Sequence, residues 1–403
     1  MLDQGTDLIH VHESRRLREV AAIDVSPAAL RDAGFADAPT GPATVPHMIE
    51  FDSKDRYAFV ASTGGAVTIV IDARRKQVVE VLATGAGSHM AAVTPDDSAV
   101  WVAAIGAQEL VEIPLDLDAR LPTFEIDRRL PVGELLEQTE RDEGWEFPSY
   151  SPVCHQFSPD SEEAWVTLGP GWNQGGLFVL DLAEGEVTAA WDPSEVKANC
   201  GISVTEERAV ANWSGKVAEG EDTEGEWYVF DRLGKDLLDT RDAEGFDAHG
   251  VRLTPDGSSY WMVNRLSSNA IVVDAETFEV TRRIDDVADT PDILDYSPDG
   301  SLVYITQRGP NPRSGAVHAA SGDEPGVAVI DTATGERSAF IAPPTVEDTD
   351  GVVRNDVHGI GVRTTAPGEQ GQARAEQTRR PKVVPARFEP ADPGVHCSLP
   401  ASA

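Results

Sequence analysis

The stretch DAHGVRLTPDGSSYWMVNRLSSNAIVVDAETFEVTRRI, residues 247–284, divides into four short segments. Val251 to Leu253 leads into the turn Thr254-Pro255-Asp256-Gly257. Tyr260 to Val263 reads as a strand and Arg265 to Asn269 as a polar loop. Ala270 to Val273 reads as a second strand, and Asp274 to Thr277 as a turn. Phe278 to Ile284 alternates like a half-buried strand. Four antiparallel strands in about 40 residues are the size of one blade of a β-propeller.

The pattern recurs along the chain. Repeats start at His47, His89, His155, Cys200, His249, Asp292 and His358, at intervals of 42, 66, 45, 49, 43 and 66 residues. His47 to Asp72, His89 to Pro114 and His249 to Asp274 are each 25 residues apart, which fixes a common register. The second repeat is expected to end in a strand over 123–126. An insertion over 133–150, whose first part favours a short helix, accounts for one long interval. Residues 8–23 resemble 69–83 and read as the second half of a blade. Six complete repeats plus two terminal halves predict an all-β, seven-bladed propeller forming one domain over 1–403. N- and C-terminal strands (358–363, with 382–388 a further candidate) would share the last blade, so that no sheet edge stays open. Residues 365–381 and 390–403 have the polar, Pro-rich composition of poorly ordered chain.

The 403 residues carry 69 acidic side chains against 33 basic ones, only six of them lysine, for a net charge of −36. Such a balance argues against nucleic acid or an anionic membrane as partner. A lysine-poor, acidic surface is what keeps a protein hydrated in molar salt, so a halophilic, archaeal source is expected. There is no apolar run of signal-peptide or transmembrane length, and the expected location is the cytoplasm. Three cysteines form no disulfide framework.

The xxxPDG turns, the aromatic strands after them, and segments such as IVVDAET and VAVIDTATGE resemble the YVTN-type propeller repeat over nearly the whole chain. That group includes proteins similar to the haem d1 domain of nitrite reductase and to bacterial lactonases. The resemblance implies a fold and leaves the activity open, because propellers host many chemistries.

Candidate ligands follow from the register. His47, His89, His155, His249 and His358, with Cys200 and Asp292, stand at the start of the innermost strands and are expected around one mouth of the central channel. They are the donor types that Cu, Fe or Zn takes; a structural role, bonding backbone of the neighbouring blade, is the competing reading. His155 stands two residues closer to its SPD turn than its counterparts, a shift that strict alternation would tolerate. Loops after the second strands are expected over the same mouth, carrying Trp172, Trp213, Arg265, Arg308 and His318 as the wall of a ligand pocket. The arginines would suit an anionic substrate or haem carboxylates. His10 and His12 read as surface residues of an outer strand.

Three functions compete. The first is a metal- or haem-dependent oxidoreductase, although no CxxCH motif is present. The second is a lactonase-type hydrolase or lyase, in which a channel histidine or Asp292 activates water. The third is a non-catalytic scaffold for a small molecule or a protein.

Overall fold

In the computed structural model the described residues are 1–363 except 15, 120–121, 170–174, 200, 218–221 and 316; the side chains of 317 and 318 are also outside the description. Trp172, Cys200, the His318 side chain and the candidate strand 382–388 therefore lie outside the described residues.

Six four-stranded antiparallel sheets and one three-stranded sheet succeed one another along the chain. The innermost strands are Pro46–Phe51, Ser88–Val93, Ser151–Phe157, Ile202–Val204, Ala248–Leu253 and Pro291–Tyr296, and each packs beside the next around a central axis. The three-stranded sheet consists of Leu2–Asp3, Leu8–Glu13 and Arg18–Asp24. Its missing inner strand is the segment around His358: Leu2 N donates to Gly359 O at 2.8 Å, His358 N to Leu2 O at 3.1 Å, and Gln4 N to Asp356 O at 2.8 Å. The two termini thus build the seventh blade together, and the ring closes.

Burial follows strand position. Second strands such as Tyr57–Ser62 and Ala99–Ala104 lie between two blades and are buried almost throughout. This is why they read as continuous apolar runs. Outer strands such as Asp236–Asp242 alternate between half-buried and exposed. Each of the seven interfaces between blades holds one apolar cluster. Trp101, Trp165 and Trp261, at equivalent positions of three second strands, are almost wholly enclosed.

The PDG turns owe their form to side chains. Thr254 Oγ1 donates to Asp256 Oδ1 (2.6 Å) and accepts from Ser259 N (3.1 Å), while Asp256 Oδ1 accepts from Ser258 N (3.1 Å). Ser297, Asp299 and Ser301 repeat the arrangement, and these bonds pull the Asp299 carboxyl down to about 2.

Two expectations need correction. The last strand of the second blade is Arg128–Pro131, not 123–126. Residues 123–126 run as a loop because Phe124 turns inward with Leu117 onto the cluster between the first two blades. His10 is 2 % exposed, not a surface residue, and its Nδ1 lies 2.9 Å from Glu19 Oε2. The 133–150 insertion does contain a helix, Val132–Glu143, ended by Gly144 in the left-handed conformation (φ 77°). A second helix, Pro27–Asp32, links the seventh blade to the first; Ser26 caps it and Pro27 opens it.

Ring closure leans on Asp356, which is fully buried. Its carboxylate accepts from Arg308 Nε (2.7 Å), Arg308 Nη2 (2.8 Å), Gly309 N (3.2 Å) and Arg313 N (2.7 Å). Asp356→Ala leaves the buried Arg308 guanidinium short of its partner and is expected to cost about 3–5 kcal/mol in urea denaturation. Lys54→Ala, which breaks an exposed pair with Asp118 at 3.4 Å, is expected to leave the midpoint in place.

Candidate metal centre at the channel mouth

Each described inner strand except the short Ile202–Val204 opens with a β-bulge. Residue 47 is extra between the pairs Pro46–Ser62 and Met48–Ala61, and residue 89 between Ser88–Ala104 and Met90–Ala103. In the later blades two residues oppose one: 249–250 between Ala248–Asn264 and Val251–Met262, and 292–293 between Pro291–Gln307 and Leu294–Ile305. A bulge breaks the two-residue alternation and re-aims the side chain at that point. It turns His47, His89, His249 and Asp292 into the channel mouth, where His358 joins them from the closing segment.

The imidazoles pack tightly. His47 stacks on His358 with ring centroids 3.8 Å apart and lies 4.1 Å from His89; His249 and His358 are 6.1 Å apart, edge to face. Asp292, fully buried, lies between them, with His249 Nε2 3.2 Å from Oδ1 and His358 Nε2 3.5 Å from Oδ2. One donor atom from each of His249, Asp292 and His358 falls within 4.8 Å of the other two. Burial holds the His47, His249 and His358 imidazoles well below their usual range, and that of His89 at about 4.

Hydrogen bonds assign the ring protons. His358 Nδ1 faces His47 O at 3.0 Å and His89 Nδ1 faces Val153 O at 2.8 Å. Both therefore donate from Nδ1 and keep a lone pair on Nε2. A ligating histidine is commonly held in this way. In His47 the order is reversed. Gln4 Oε1 accepts from Ser314 Oγ (2.9 Å) and Arg308 Nη2 (3.4 Å), so its Nε2 donates to His47 Nδ1. The remaining proton sits on His47 Nε2, which is buried without a partner among the described residues. His47 is thus a packing wall beside His358 rather than a donor in its neutral form.

Arg265 and Arg308 follow the second strands of adjacent blades and reach the same carboxylate. Arg308 Nη1 donates to Asp292 Oδ2 at 2.9 Å, and Arg265 Nη1 to Oδ1 at 3.4 Å. Arg265 also grips Asp247 (2.6 and 3.0 Å), as Arg308 grips Asp356. Three buried carboxylates thus face two guanidiniums, and with neutral imidazoles the cluster carries one net negative charge. Both arginines are committed to carboxylates, which removes the reason to expect an anion at this point.

The structure places two other candidates elsewhere. His155 pairs with Val166, in the register that Val251, Leu294, Ile49 and Ala91 occupy in their blades. It therefore points between the second and third blades, fully buried, with Nε2 3.1 Å from Trp101 O. Val153 stands where the first, second and fifth blades have histidine. The bulge over 153–154 turns the Cys154 side chain to the channel instead, and burial followed by the Asp292 charge pushes its thiol up to about 12. Trp213 belongs to the core between the third and fourth blades, with Lys197 Nζ 4.6 Å above its ring. Spacing gave no warning of Cys154, Gln4, Asp247 or Asp356. The two-residue offset between His155 and its turn was the available signal that it departs from the ring.

His155→Leu introduces the residue type that fills this register in the sixth blade, where Leu294 stands. It is expected to shift the melting temperature by no more than a few degrees and to leave any metal content unchanged. Loss of metal from this variant would return His155 to the ring.

No family model matches the chain, and no curated protein matches it. Among solved structures, Kuenenia stuttgartiensis hydrazine synthase superposes with a TM-score of 0.54 at 18 % identity, over 71 % of this chain and 76 % of that one. At this identity the likeness extends to the fold: the chain is a seven-bladed β-propeller.

Proposed function

We propose that the protein is a metal-dependent propeller, with one divalent transition-metal ion held at the channel mouth by His249, Asp292 and His358. His89 is poised as a fourth donor through its free Nε2. The observation that carries this reading is the meeting of His358 Nε2 and Asp292 Oδ2 at 3.5 Å. With Nδ1 protonated, both atoms present lone pairs, and a shared cation relieves the repulsion. The single net negative charge of the cluster points the same way. Two imidazoles and a carboxylate suit Fe, Zn or Cu and leave coordination positions open.

The chain's own groups then have defined tasks. His47 O fixes the His358 tautomer, and Val153 O fixes that of His89. Arg265 and Arg308 hold the two oxygens of Asp292 and stop the carboxylate from rotating. A bound metal would supply Lewis acidity to a water or substrate in the channel, or a redox couple, according to which ion is taken. Haem fits poorly. The cavity beside His249 measures about 60 Å³, against the roughly 300–1,000 Å³ of pockets for larger ligands.

Elemental analysis of protein purified without a histidine tag tests the reading. The expected result is about one Fe, Zn or Cu per chain, with affinity reduced about 10- to 100-fold or more in His249→Ala and His358→Ala. A folded wild type that takes up no metal on reconstitution would overturn it.

A further inference from the structure

The opening bulge has a second effect along the same strands. Three residues beyond His47, His249 and Asp292 stand Glu50, Arg252 and Asp295, and Gln156 holds the matching place in the third blade. Ordinary alternation would put residues i and i+3 on opposite faces. One extra residue returns the later one to the channel, so a second polar tier lies below the first.

This tier is unevenly satisfied. Glu50 Oε1 accepts from Gln156 Nε2 (3.2 Å) and Oε2 from Val93 N (3.1 Å). Asp295 Oδ2 accepts from Val362 N (2.6 Å), and Oδ1 lies 3.3 Å from Arg252 Nε. Arg252 Nη1 and Nη2 have no acceptor among the described residues, 46 % of the side chain is exposed, and Arg252 is among the residues lining a small cavity. The cavity of about 60 Å³ runs from Arg252 to His249, and Met48, Met90, Ile202, Val251, Ile293 and Ile360 line it between those ends.

A guanidinium with its fork open, at the end of a short apolar cavity, has the chemistry to receive a carboxylate. We infer that the channel binds a short aliphatic monocarboxylate, its carboxylate on Arg252 Nη1 and Nη2 and its other end toward His249. At about 10–15 Å³ per water-sized volume, the space holds roughly four to six non-hydrogen atoms. That is the size of acetate or propionate. The orientation toward His249 rests on the metal reading above, whereas the carboxylate contact rests on Arg252 alone.

Glu50 sets a pH dependence. Burial already raises its carboxyl, and Arg252 opposes that shift. The groups facing it are Arg252, Asp295, Gln156 and Val93 N. An anion on Arg252 adds negative charge beside Glu50 and raises its carboxyl further, so binding takes up a proton. Affinity therefore increases as pH falls from neutrality toward the range in which Glu50 takes up its proton, so long as the ligand itself stays ionised.

The test is calorimetric titration of EDTA-treated protein at constant ionic strength with propionate, propionamide and sulfate, alongside a metal assay on the same preparation. Propionate is expected to bind at least about tenfold more tightly than propionamide or sulfate. Arg252→Gln should lose that preference, and Glu50→Gln should keep binding while flattening its pH dependence. Equal binding of propionate and propionamide overturns the inference, as does an unaffected Arg252→Gln. Sulfate binding as well as propionate reduces the site to a generic anion contact and overturns it too. If Arg252→Gln fails to fold, the amide comparison and Glu50→Gln still decide. Propionate binding without metal uptake keeps this site and removes the metal; metal uptake without propionate binding does the reverse.

Discussion

The Arg308 guanidinium is fully buried, and most of the site depends on how it is satisfied. It leaves the second strand of the sixth blade and donates to Asp292 at the mouth, to Asp356 of the closing segment, and to Gln4 beside the N-terminal strand. A buried charge of this kind is a poor source of net stability, since desolvation offsets most of the attraction. Its effect is on specificity. The closed ring brings Asp356 and Gln4 together at Arg308. The same closure delivers His358 to Asp292 and turns the amide of Gln4 to His47. Closure of the fold and assembly of the candidate metal site are one event.

The opening bulges do the other part of the positioning. A regular inner strand would send every second residue to the axis, and the rim and the deeper tier would alternate. With one residue added at the rim, the residue at that point and the one three places on share the channel face, and the second of the two residues between them packs against a neighbouring blade. The third blade shows how local this control is. Its bulge lies at 153–154, so a histidine in the next position becomes a core residue bonded to Trp101 O.

Much of the fold was legible in the sequence because its determinants are local. Apolar runs for the enclosed second strands, alternation for the outer strands and Asp-centred turns with a Ser or Thr cap recur often enough to set seven blades in register. All four rim histidines could be read from the same spacing, which also put a fifth, His155, there in error. Legibility failed where geometry depends on one extra residue or on partners far apart in the chain. A bulge leaves no composition signature, so His155 was placed on the channel and Cys154 was passed over. Arg308 meets Asp356 across 48 residues and Gln4 across 304. No local pattern announces that an arginine apparently free for an anion is already held by two aspartates.

That last point bears on how charge should be read in so acidic a chain. A net charge of −36 suggests that anions are repelled everywhere, yet screening limits surface charges to a reach of about 8–10 Å at moderate salt. Inside the channel the nearest groups decide. At the rim three carboxylates outweigh two guanidiniums, which favours a cation. One tier down, Asp295 and Glu50 flank the single guanidinium of Arg252; burial inclines Glu50 toward its neutral form, which leaves the tier near neutral with the open donors of Arg252 facing the cavity. The two proposed ligands are of opposite sign, and each compensates part of the other's charge along one short cavity. A carboxylate on Arg252 would ease metal binding above it, and a metal at Asp292 would ease carboxylate binding below. Reciprocity of this kind is required of any two linked sites, so the strength of the coupling, measured from either ligand, must come out the same.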